Sequence, residues 1–324
     1  MKTFLGLLVA VAGAGVAFLI SFGLEGVGVS VPALSICVGV GLVLSLVGVG
    51  GRSGLQSGLD FAGKHVMRAG IVLLGLSISF VHIISLGLPM IIAIVGLLVV
   101  SFLFTFFMAR IVGLPGQQPL LMAAGFSICG ASAIGAVGQA SGAPQRDQGV
   151  PVALVTLFGT VAIVALPLLA VPLHVDGNDF GIWAGAAVHD VGQVVATASI
   201  AGPAVLATAV VVKLVRVLCL APMVAVVSGI GRRRGGGGKR PPIVPLFIIG
   251  FIVLAAVRTW VPVPDAVLSW VGTAQHALLG VALVGLLAKV RLREFGGQGW
   301  RSIVVALAAS AFIAIGALLM INSL

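Results

Sequence analysis

Residues 125–135 read GFSICGASAIG, with three glycines, two serines and a cysteine in eleven positions of an otherwise apolar run. A glycine in a helix interior costs about 1 kcal/mol relative to alanine. Two readings account for such a stretch. Small residues let transmembrane helices approach one another closely. Alternatively the helix breaks here, which a membrane tolerates only where the freed backbone groups are buried in protein or face a watery cavity. A break makes two half-helices, and the exposed N–H groups and positive dipole end of one of them attract an anion. The expectation taken forward is the broken helix. Cys129 and Gly130 lie at its opening, and Ser127 and Ser132 stand beside it as hydroxyl donors.

Composition makes a membrane the solvent. The 324 residues are 60% hydrophobic and 8% charged, and the mean hydropathy is +1.27. A soluble domain carries about 25% charged residues. The fold class is therefore an all-α polytopic membrane protein. Its apolar runs are 4–24, 31–49, 66–81, 89–109, 119–140, 150–172, 180–200, 204–229, 243–261, 266–288 and 302–322. Each is near the ~20 residues needed to cross hydrocarbon, the third being short. About eleven transmembrane helices follow.

The net charge of +10 does not indicate nucleic acid, because the bases lie in short loops. With a cytoplasmic N-terminus, fourteen Lys and Arg residues fall inside, and only Arg146 and Arg258 fall outside. That asymmetry is the positive-inside pattern of a bacterial inner-membrane protein. Trp183, Trp260, Trp270 and Trp300 fall near run ends, where aromatic belts sit. The first run is longer than the apolar region of a signal peptide, so it reads as a retained helix. The one clear linker, GRRRGGGGKRPP at 231–242, reads as a flexible cytoplasmic connector. The whole chain, 1–324, thus reads as a single membrane-embedded domain. GIVLLGL (70–76) and GVALVGL (280–286) match at four of seven places and run in opposite senses in this topology. Oppositely oriented repeats build many secondary transporters.

The ionisable residues inside the spans are few. Asp190 lies half-way along run 180–200, flanked by His189 and followed by Gln193; Lys213 and Arg216 share one face of run 204–229. Each such charge costs roughly 2.5–3.5 kcal/mol to insert. A buried pair with Asp190 would lock two helices and leave one cation over. That surplus is better explained by a visiting anion, which makes Lys213 and Arg216 substrate ligands together with Ser127, Cys129, Gly130 and Ser132. Asp190, His189 and Gln193 then carry coupling, by protonation or by exchange of partners with Lys213. A buried histidine equally satisfies a carbonyl.

Four blocks carry a family resemblance: GFSICGASAIGAV, FGTVAIVALPLL, GIWAGAAVHDVGQVVATASIAG and VVKLVRVLCLAPMV. Their order and spacing resemble the YeiH-like membrane family, classed as sulfate exporters, from about residue 66 to the C-terminus. Asp190 stands where that family usually has Glu. The resemblance implies a bile-acid-transporter-like fold with inverted repeats and broken helices, and an anion carrier.

The reading is a gradient-driven secondary transporter of a small anion, sulfate or sulfonate-like, in either direction. H+ or Na+ is the coupling ion, the lipid bilayer surrounds the protein, and a homo-oligomer stays open. There is no ATP-binding motif, no metal-ligand cluster and no cofactor signature. A channel is the first rival. The second is a membrane-embedded enzyme with Cys129 as nucleophile and His189 as base, which needs the two within hydrogen-bond reach.

Overall fold

The computed structural model describes residues 2–26, 31–77, 87–232, 246–289 and 299–323, and among them it is helical with no strand. In chain order the helices are α1 (Lys2–Gly26), α2 (Ala33–Leu46), α3 (Gln56–Phe61), α4 (Met67–Leu74) and α5 (Gly87–Ile111). Then come α6 (Gln118–Ala124), α7 (Ala131–Ser141), α8 (Gln145–Leu173), α9 (Gly177–Ala187) and α10 (Val191–Ala198). The last five are α11 (Pro203–Leu218), α12 (Leu220–Arg232), α13 (Leu246–Trp260), α14 (Asp265–Ala288) and α15 (Trp300–Ser323).

Among the described residues six stretches are long and apolar enough to cross a bilayer: Thr3–Gly26, Gly87–Ile111, Arg146–Leu173, Pro203–Gly229, Asp265–Ala288 and Trp300–Ser323. The other five of the eleven predicted crossings differ from this pattern. Runs 31–49, 66–81 and 243–261 hold shorter helices, and runs 119–140 and 180–200 are each interrupted. The end of run 66–81 and residues 233–242 of the predicted linker lie outside the described residues. Rows of large apolar side chains point outward, such as Leu19 and Phe22 on α1 and Leu88, Ile92, Phe107 and Ile111 on α5. Trp260, Trp270 and Trp300 are exposed as a belt requires, but Trp183 is not a belt residue. It is buried, and its Nε1 donates to Ala314 O at 2.8 Å.

The chain divides into two interleaved units. The first comprises residues 1–85, 195–207 and 246–294. Here α14 packs along α1, α2 and α4, and glycines set the close approaches. A Cβ on Gly41 would stand 2.8 Å from Leu287 Cβ, and one on Gly70 would stand 2.6 Å from Leu279 Cδ2. The repeat-like segments at 70–76 and 280–286 therefore lie on helices that pack together within this unit. Ser77 Oγ donates to Gln275 Oε1 at 3.0 Å, and Lys289 Nζ meets Asp60 Oδ1 at 2.8 Å.

The second unit comprises residues 86–194, 208–245 and 295–324, and contains every candidate site residue. Helix α15 packs on α5, α8 and α9, α6 packs on α5 and α8, and α12 packs on α7. Phe104 and Phe312 stack at 4.1 Å between α5 and α15.

Candidate functional site

The site is built from two chain interruptions. In the first, α6 ends in a π-type turn over Gly125–Cys129, closed by Gly130 N donating to Gly125 O at 3.0 Å. Such wide turns recur at functional sites. Gly130 then takes φ 68°, ψ −136°, a region essentially reserved for glycine. Its carbonyl restarts the helix by accepting from Ala133 N and Ile134 N. The three glycines of the opening stretch therefore act differently. Gly130 makes the break, Gly125 leaves room for Ile134, and Gly135 has nothing within 4 Å of its Cβ position.

In the second interruption, α9 ends at Ala187, Val188 is extended, and α10 begins at Val191. Asp190 caps the new helix. Its Oδ1 accepts from Gly192 N at 2.9 Å, and its own N–H donates to Gln193 Oε1 at 3.2 Å. The pair resembles the reciprocal capping box of an Asp-x-x-Gln sequence, with the carboxylate taking the second helical N–H rather than the third. The amide of Gln193 also donates to Thr156 O of α8 at 3.0 Å, and Gly159 keeps the space that its amide fills.

The two interruptions meet. A Cβ at Gly130 would lie 3.2 Å from Asp190 Oδ2, so the carboxylate of one break sits against the backbone of the other. The starts of α7 and α10 reach this point, as do the C-terminal ends of the π-type turn and α9. Helix ends leave N–H and C=O groups without intrahelical partners. Four such ends inside a membrane protein need compensation.

For the carbonyls it comes from α11. Lys213 is fully buried and donates to Ile128 O at 2.9 Å and to Val188 O at 2.8 Å. Arg216, also buried, donates from Nε to Ser127 O at 3.1 Å. From Nη1 it reaches Gly185 O, Ala186 O and Val188 O at 3.2, 2.6 and 3.1 Å. From Nη2 it reaches Phe126 O at 3.4 Å and Ser127 O at 2.5 Å. The expected shared face of Lys213 and Arg216 exists, and it points at carbonyls of both interruptions. Positive charge there also complements the negative dipole ends of the two half-helices.

His189 is buried, with Nδ1 3.1 Å from Phe126 O and Nε2 2.9 Å from Ser310 Oγ. A carbonyl only accepts, so Nδ1 carries the proton and Nε2 accepts from the Ser310 hydroxyl. Both ring nitrogens are engaged away from Cys129, which is buried in the π-type turn. The Cys–His enzyme reading therefore lacks the hydrogen bond it requires. The Ser127 hydroxyl, expected as a donor to a ligand, donates in this structure to Ala123 O at 2.6 Å. Ser132 is exposed in the first turn of α7, and Asp190 is half-buried.

The sequence reading missed the second interruption and three of its supports, Thr156, Ser310 and Gly159. The capping-box pattern of DVGQ was the available signal for the break. Ser310 carried a weaker one, as a lone hydroxyl within the apolar stretch AASAFIAIG.

The family model described as conserved hypothetical protein 698 matches residues 5–306. The chain belongs to this family, the UPF0324 membrane proteins. It is 39% identical over 259 residues to a UPF0324 membrane protein of Corynebacterium glutamicum, covering 79% of this chain and 75% of that protein. It is 35% identical over 291 residues to the UPF0324 membrane protein TauZ of Paracoccus denitrificans, covering 88% of this chain and 86% of that one. A third relative, a UPF0324 membrane protein of Agrobacterium fabrum, is 35% identical over 247 residues, 75% of this chain and 71% of the relative. No solved structure matches. The YeiH-like resemblance of the sequence blocks is thereby supported.

Proposed function

We propose that this UPF0324 protein is a gradient-driven secondary transporter of a small anion, sulfate or sulfonate-like, in the bacterial inner membrane. One observation carries the reading. Two interrupted helices of the second unit meet at Gly130 and Asp190; a membrane tolerates such breaks only where the freed backbone groups are buried in protein or line a watery cavity, and the half-buried Asp190 at the meeting point favours the second. Interrupted helices of this kind form the substrate sites of many secondary transporters. The anion binds at the starts of α7 and α10, beside Gly130, Ser132 and Val191, where N–H groups and positive dipole ends converge.

Asp190 lies at the same point and is half-buried, so proton uptake there couples to anion movement. Neutralising the carboxylate removes a repulsive charge beside the anion, and releasing the proton restores it. The inverted repeat, the eleven-crossing topology and the cytoplasmic N-terminus belong to this proposal.

The test is uptake of labelled sulfate, taurine and inorganic phosphate into proteoliposomes, with and without a pH gradient. Saturable uptake of one anion that responds to the gradient supports the transporter. Flux that does not saturate favours a channel, and absence of uptake of every anion overturns the reading.

A further inference from the structure

The two buried cations of α11 pose a question that the transport proposal leaves open. Backbone carbonyls from unwound segments and from half-helix C-terminal ends are the groups with which many secondary transporters coordinate a coupling alkali-metal ion. Here such carbonyls converge from both interruptions. Their oxygens meet Lys213 Nζ and the three guanidinium nitrogens of Arg216. Every nitrogen of Arg216 is engaged by carbonyl oxygen, which leaves no guanidinium edge for a carboxylate or an oxyanion.

We infer that Lys213 and Arg216 are tethered cations that hold the carbonyl positions a coupling Na+ would otherwise need. They are positioning residues of the crossing, and they do not contact the transported anion.

Three observations converge on this assignment. The donors of both side chains reach the first interruption (Ser127, Ile128) and the second (Ala186, Val188), so each cation bridges two breaks rather than capping one. Neither side chain is exposed, whereas Ser132 and Asp190 are reachable. The cations sit at the negative ends of two half-helices, where a positive charge is stabilised and an anion is repelled. A carrier with these cations built in has no use for sodium at this point. Its energy comes through a group that changes charge, which leaves Asp190 as the coupling residue. The assignment rests on the transporter reading for that consequence, but the geometry it describes is independent of transport.

The experiment is hydrogen–deuterium exchange on the purified full chain, in chloride salts of Na+, K+ and N-methylglucamine at equal ionic strength. For the wild type, amides within 125–134 and 185–193 are expected to exchange equally in all three salts. In Arg216→Gln they are expected to exchange at least about tenfold faster, as local opening of both breaks becomes easier. Should Arg216→Gln fail to fold, Arg216→Lys keeps the charge, loses the planar fork, and carries the same comparison. Sodium-specific protection of these amides in the wild type overturns the inference, because a metal ion then shares the carbonyls. Unchanged exchange in the variant, combined with lost binding of sulfate or taurine, also overturns it and makes Arg216 an anion ligand. Absence of transport by the wild type removes the transport proposal alone, and the exchange results still decide the role of the cations.

Discussion

Gly130 and Asp190 face one another from two different breaks, and each is chosen by a separate local demand. Gly130 must hold φ 68°, and a Cβ there would stand 3.2 Å from Asp190 Oδ2, so the carboxylate would have to give way by a few tenths of an ångström. Gly130→Ala is expected to cost about 1–3 kcal/mol of stability through backbone strain alone. It should also abolish uptake, because the added methyl displaces the carboxylate. Thermal unfolding midpoints and uptake of the same protein preparation check both effects. Wild-type stability with wild-type uptake would contradict the strained geometry. Asp190 has two duties that substitution separates. Asparagine is as good a helix cap as aspartate, so Asp190→Asn should retain the bond from Gly192 N and leave stability within a few tenths of a kcal/mol. The amide takes up no proton, so uptake should lose its response to a pH gradient. Of the other ionisable groups nearby, His189 is held by Phe126 O and Ser310, Lys213 and Arg216 are held by carbonyls, and Cys129 is a buried thiol. A gradient response that survives in Asp190→Asn would move coupling elsewhere.

Elements in this protein are read best where one helix runs unbroken. Helices such as α1, α5, α8, α14 and α15 follow from apolar length alone, because in hydrocarbon a helix satisfies its own backbone. The break at Gly130 was legible because three glycines concentrate in one stretch. The break at Val188–Asp190 was hidden, because HDVGQ sits inside an apolar run and its single charge resembled a buried functional carboxylate. The structure shows it half-buried and capping the start of α10. The partners of Lys213 and Arg216 were not legible at all. Sequence shows side-chain charge, whereas their counter-charge is backbone carbonyl, which every residue carries. At the edge of the first unit, a conventional pair joins α3 to the end of α14. Burial alone would raise the Asp60 pKa. The hydrogen bond and charge of Lys289, with Lys64 beyond, overcome that and hold the carboxyl below its usual value. A depressed carboxylate pKa contributes stability above the unfolded value and loses it as pH falls through the folded one. The side chains are partly exposed, so Asp60→Asn should cost less than about 1 kcal/mol at neutral pH. The difference should vanish in strong acid and shrink with added salt. Thermal midpoints of the two proteins across a pH series would show the convergence, and a constant offset at every pH would assign the effect to packing instead.

On the scale of the whole molecule, the distribution of charge sets how the chain sits in its membrane. Fourteen of the eighteen Lys and Arg residues fall on one side in the eleven-crossing arrangement, two fall on the other, and the remaining two are Lys213 and Arg216. Asymmetry of that size orients short-looped membrane proteins because basic loops resist translocation. The arrangement assigns the same crossing to both halves of each interrupted helix, so α6 with α7 counts once, and α9 with α10 counts once. An odd number of crossings then puts the two termini on opposite sides. The prediction is a cytoplasmic N-terminus, a cytoplasmic 231–242 segment and a C-terminus outside. Single cysteines at Gly236 and at Ser323, in a background without Cys37, Cys129 and Cys219, allow this to be read with a membrane-impermeant thiol reagent on intact cells. Ser323→Cys should label and Gly236→Cys should label only after the membrane is opened. If one of the interrupted helices were instead re-entrant and returned to its own side, the later segments would invert. The nine basic residues that follow it on the inside would then face outward, against the pattern that orients the rest. Labelling at Gly236→Cys without labelling at Ser323→Cys would demand that inversion.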